Sequence, residues 1–168
     1  GTPEGTRMLR NLAPGGLSSA YQMLGRAGDL VLFAAWTPAT GVELWRSDGT
    51  AGGTVLVADT NPTGGGQPED FVVFDGELYF TAQGPQGREL WHTDGTQLGT
   101  ASFDIRVGTQ PSSPAELHRV DYPSAPAQPS RLWFSAQTGA GFRELMSIDT
   151  DGTVVTHLTD QGPSELVS

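Results

Sequence analysis

The stretch GVELWRSDGTAGGT, from Gly41 to Thr54, returns as GRELWHTDGTQLGT from Gly87 to Thr100, 46 residues later. A catalytic motif is needed once, whereas one that recurs at a fixed interval belongs to a structural unit that recurs. Aligning on Asp-Gly-Thr orders nearly the whole chain. GTPEGT at Gly1 matches GTAGGT at Gly49 and GTQLGT at Gly95. A short β-pattern follows each one: RMLRNL from Arg7, VLVADT from Val55 and ASFDIR from Ala101. Stretches rich in proline, glycine and serine come next, and further strand patterns follow them. These include DFVVF from Asp70, then DLVLFAA from Asp29, ELYFTA from Glu77 and RLWFSA from Arg131. The last pattern in each unit is ELW itself, or ELM at Glu144 to Met146.

Four short strands per period of 46 to 55 residues, divided by glycine turns, is the spacing of β-propeller blades. No segment shows a sustained 3.6-residue period, so the expected fold is all-β with very little helix. The reading is of propeller-type blades of four antiparallel strands, three full repeats with partial units at both ends. The units run approximately over 1–48, 49–94 and 95–151, and a further one starts at 152–168. The insertion VDYPSAPAQPS, around Tyr122 to Ser130, has the prolines of a surface loop. Closed propellers usually have four to eight blades, so three read as a fragment, a cut from a longer array, or part of an oligomeric ring. The start at Gly1, with no leader pattern, fits excision from something longer.

Composition narrows the function classes. The formal charge is -10, and all nine basic residues are arginine. Nothing clusters to neutralise phosphates, so nucleic acid is not an expected partner. An anionic membrane surface is disfavoured for the same reason, and no apolar run approaches the length of a spanning helix. Without cysteine there is no disulfide or thiolate chemistry. A lysine-free chain rich in glycine, alanine, proline and arginine suggests a GC-rich bacterial genome.

The repeated residues have physical readings. Asp48-Gly49-Thr50 and Asp94-Gly95-Thr96 lie between strand patterns and read as structural turns: aspartate bonds the backbone two residues on, and glycine supplies positive φ. On a strand Glu43 and Trp45 share one face while Leu44 takes the other. Trp45, Trp91 and Met146, with Phe33, Tyr79, Phe80, Trp133 and Phe134, are expected to fill the gaps between neighbouring blades. Glu43, Glu89 and Glu144 recur beside core residues and must be solvated, paired or hydrogen-bonded. One reading is a bond to backbone N–H groups of the next blade. The alternative makes Glu43, Trp45, Glu89, Trp91 and Glu144 a ligand or cation contact repeated in each blade. Arg88 and Arg143 precede two of these glutamates but point to the opposite strand face. Asp149 and Asp151 are weak calcium candidates, better read as part of a hairpin turn, so no cofactor is expected and calcium is left open.

Glu43-Leu44-Trp45 with Asp48-Gly49-Thr50, and Glu89-Leu90-Trp91 with Asp94-Gly95-Thr96, resemble the bacterial ELWxxDGT repeat family, sometimes associated with hyalin-like repeats. The third copy is degenerate, with Met146 in place of tryptophan. The resemblance implies a propeller-like array in a secreted or cell-surface bacterial protein and carries no catalytic residues. The chain also lacks G-x-S-x-G, a P-loop and H-E-x-x-H. His92, His118 and His157 have no ligand spacing and read as surface or strand-edge residues. The expected function is a non-enzymatic scaffold or adhesive binding module. Its partners would be a surface protein or carbohydrate, further blades, or copies of itself. The alternatives are a piece of an extracellular glycoside hydrolase or lyase propeller, and a calcium-stabilised array.

Overall fold

The computed structural model describes residues 7–15, 18–106, 108, 110–122, 129–139 and 142–158. These residues form strands and no helix, so none of their helices is long and apolar enough to cross a membrane. The first sheet holds β1 (Ala20–Ala27), β2 (Leu30–Thr37), β3 (Gly41–Ser47) and β4 (Val55–Ala58). The second holds β5 (Glu69–Phe74), β6 (Glu77–Gly84), β7 (Gly87–Thr93) and β8 (Thr100–Phe103). The third holds β9 (Ala115–Val120), β10 (Arg131–Gln137), β11 (Arg143–Ile148) and β12 (Val154–Leu158). Each is an antiparallel meander in chain order. A two-residue turn, Asp75-Gly76, joins β5 to β6, with φ of +49° and +83°, so that a right-twisted ribbon is joined without splaying.

Consecutive sheets pack face to face, and strand alternation decides what lies between them. Leu32, Leu44 and Val57 of the first sheet meet Leu78, Phe80 and Ala82 of the second. On the other face of the second sheet, Phe74, Tyr79 and Leu90 meet Leu132, Phe134, Met146 and Ile148 of the third. The neighbours Tyr79 and Phe80 therefore serve opposite interfaces. Because both faces of the second sheet are covered, Leu78 to Ala82 are all buried, whereas β10 alternates between buried and half-buried residues. Burying Phe80 or Phe134 contributes about 1.5–3 kcal/mol each to these interfaces.

Two sequence readings need adjustment. RMLRNL from Arg7 has a strand pattern, yet these residues pair with no strand among the described residues. His92 is on β7, an inner strand, and is half-buried rather than at the surface or an edge. Its ring stacks on Tyr79, tilts against Phe103 and bonds Glu77 Oε2 at 2.7 Å. Most of the proline-rich insertion lies outside the described residues, although the strands it joins, β9 and β10, do pair. His118 is exposed on the edge strand β9.

Candidate functional site

The Asp-Gly-Thr turns are closed by side chains. Asp48 Oδ1 accepts from the Thr50 amide at 2.9 Å and from its hydroxyl at 2.7 Å. Thr50 Oγ1 in turn accepts from the Gly53 amide, and the Thr54 hydroxyl donates to the Thr50 carbonyl. Asp94, Thr96, Gly99 and Thr100 repeat every one of these bonds. The first glycine of the motif has φ of +87° at Gly49 and +89° at Gly95. The second is required for space: a Cβ at Gly53 would lie 2.0 Å from Asp48 Oδ1, and one at Gly99 would lie 2.2 Å from Asp94 Oδ1. Both aspartates are held below the usual carboxylate range, first by the threonine hydroxyl and then by the threonine amide.

The glutamates of Glu-Leu-Trp turn inward. Glu43 is fully buried and Glu89 nearly so. Glu43 Oε2 accepts from the amide and hydroxyl of Thr60, both at 3.0 Å, and Oε1 accepts from the Gly66 amide at 2.6 Å. Thr60 and Gly66 belong to the segment that connects the first sheet to the second. Glu89 does the same one sheet later, accepting from the Ser112 amide at 2.9 Å and from the Ser112 hydroxyl. Burial pushes both carboxyls up from their ordinary range, and the hydrogen bonds from the connecting segment oppose it.

Each connecting segment is a staple with three attachments. The Gly66 carbonyl accepts from Gln83 N on β6, and Gln67 N donates to the Val42 carbonyl on β3. Ser112 and Ser113 repeat both bonds, to Gln137 N on β10 and to the Arg88 carbonyl on β7. One short stretch is thereby bonded to the sheet it leaves and to the sheet it enters. No side chain fits at Gly66, where a Cβ would lie 2.7 Å from Glu43 Oε2. Chemically, a carboxylate whose two oxygens already receive the chain's own donors is a fastening.

The other sequence candidates fall around this frame. Trp91 shares the face of Glu89 and stacks on Phe80 with ring centroids 6.4 Å apart. Trp45 is buried on the corresponding face of the first sheet. The indole Nε1 atoms of both have no hydrogen-bond partner among the described residues. Glu144 is half-buried on β11, opposite Ala136, and the stretch after β12 lies outside the described residues. Arg88 and Arg143 reach away from the glutamates, to Thr81 Oγ1 and Ser135 Oγ. Asp149 and Asp151 both accept from the Thr153 amide in the β11–β12 turn. No group of three or more His, Asp or Glu side chains converges as a metal site among the described residues.

Sequence reasoning missed Thr60, Gly66 and Ser112. The signal was available as a spacing, since Gly66 and Ser112 each follow their glutamate by 23 residues. In comparisons with protein-family models, curated proteins and solved structures, the chain matches none of them.

Proposed function

We propose that this chain is a non-enzymatic module of propeller-type blades from a secreted or surface-attached bacterial protein, serving as a scaffold or adhesive binding surface. The observation that carries the reading is the destination of the repeated polar residues. Glu43, Glu89, Asp48 and Asp94 all bond the chain's own backbone and threonine or serine hydroxyls. Repeats that invest their signature residues in fastening sheet to sheet build a rigid surface, and a partner is then read by the variable outer residues. The resemblance to ELWxxDGT repeats points to the same role. A turnover screen of the purified chain against chromogenic glycosides and soluble polysaccharides tests it. The expected result is no product above buffer. Turnover proportional to protein concentration, and surviving repeated purification, would overturn the proposal.

A further inference from the structure

One face of the first sheet is covered by no other sheet among the described residues. Met23, Val31, Phe33 and Ala35 line a groove of about 530 Å³ there, with Leu9 and Leu12 along its rim. Met23 is 68% exposed in it. A Cβ at Gly49, beside the groove, would meet nothing within 4 Å, whereas one at the matching Gly95 would lie 2.9 Å from Leu30 of the preceding sheet.

The two internal interfaces show what belongs on such a face. In the strand registers Phe33 pairs with Trp45 as Phe80 pairs with Trp91 and Phe134 with Met146. Phe80 and Phe134 are covered by the leucine- or tyrosine-bearing face of the sheet before their own. The staple position recurs too. The Ser19 carbonyl accepts from Trp36 N at 3.2 Å, as the Gly66 and Ser112 carbonyls accept from Gln83 N and Gln137 N. The Gly66 and Ser112 amides donate to Glu43 and Glu89, while no carboxylate is bonded to Ser19 among the described residues. In the Gly-Thr alignment, Arg7 to Arg10 match Val55 to Ala58, a fourth strand, and Arg10 Nη1 bonds the Thr54 carbonyl at 2.7 Å. By this alignment the residues along the groove correspond to a fourth strand, and the groove beside them is open.

We infer that this face is a docking slot for a three-stranded antiparallel sheet of the same repeat kind, supplied by repeat polypeptide outside these 168 residues. Its first two strands lay a leucine or tyrosine against Phe33, as Leu32 and Tyr79 do at the internal interfaces. Its third strand brings a glutamate to the Ser19 amide, and its edge pairs with Arg7 to Arg10 as fourth strand. The slot follows from sheet stacking and goes beyond the scaffold reading, since it holds whatever the outer surface binds.

The test extends the full chain with a second copy of its own Ser18–Asp48 sequence placed directly before Gly1, which restores Asp-Gly-Thr at the joint. Hydrogen exchange and thermal melting are compared with the unextended chain. Exchange at the original Ser19 amide is expected to slow about tenfold, as for a newly formed buried hydrogen bond, with a higher melting temperature. Met23→Glu in the original groove, an exposed position that leaves the unextended chain stable, is expected to cancel both gains. Unchanged exchange at Ser19 in the extended chain, or gains that survive Met23→Glu, would overturn the inference.

Discussion

Replacing Glu43 by glutamine keeps the shape of the staple and removes half of its accepting power. The carboxylate receives two backbone amides, Thr60 on Oε2 and Gly66 on Oε1. A carboxamide has one oxygen, so in either orientation its NH2 faces one of these amides and leaves it buried without an acceptor. An unsatisfied buried donor costs about 1–3 kcal/mol. Losing the charge returns part of that cost, because burial opposes the ionised form of Glu43. The net expectation is a loss of about 1–2 kcal/mol at neutral pH, or a melting temperature lower by about 2–8 °C for a chain of this size. The pH dependence gives a second check. A carboxyl raised on folding binds its proton first in the folded state, so its contribution is full below the ordinary glutamate range. That contribution fades as pH rises through the folded value. Glutamine does not titrate, so the gap between wild type and Glu43→Gln should widen as pH falls towards 4.5, the ordinary glutamate value. Urea titrations at several pH values measure both effects. Equal stability of the two proteins at every pH would refute the reasoning.

Other expectations follow from the same geometry. Gly53→Ala and Gly99→Ala should each lower the melting temperature, because the new Cβ displaces the Asp48 or Asp94 carboxylate; Gly52→Ala, with open space around it, should not. Trp91→Phe should change stability by less than about 1 kcal/mol, since the lost contacts are offset by removal of an unpaired buried N–H. Phe80→Ala in the same cluster should cost about 3–5 kcal/mol in a urea titration. Burial beside Glu77 and Asp75 pushes Tyr79 up to about 12. An ultraviolet titration should therefore show one of the three tyrosines ionising well above pH 10. The fold should lose stability as pH rises between these values, because the unfolded chain ionises first.

Much of this was legible in the sequence, for definite reasons. Period-2 alternation puts Glu43 and Trp45 on the face opposite Leu44, and the structure keeps that division, with Leu44 in the interface to the second sheet. Asp-Gly-Thr encodes its own turn because all its bonds are local. The staples were harder to read, since their donors are backbone amides and an amide has no letter in a sequence. Gly66 and Ser112 do the same work with different side chains, so only their equal distance from a glutamate links them. The second glycine of the motif could be seen to recur, but the carboxylate occupying the place of its Cβ appears only in three dimensions. His92 was misjudged because its neighbours Tyr79, Phe103 and Glu77 come from the strands on either side.

The central claim is that each buried glutamate holds the segment leading into the next sheet. Amide hydrogen exchange, resolved at single residues in wild type, Glu43→Gln and Glu89→Gln, tests it most directly. The account predicts slow exchange at Thr60, Gly66 and Ser112 in wild type. It predicts fast exchange at Thr60 or Gly66 alone in Glu43→Gln, and at Ser112 alone in Glu89→Gln. Wild-type exchange at these amides as fast as at the exposed turn residue Gly52, or no change in either variant, would contradict it.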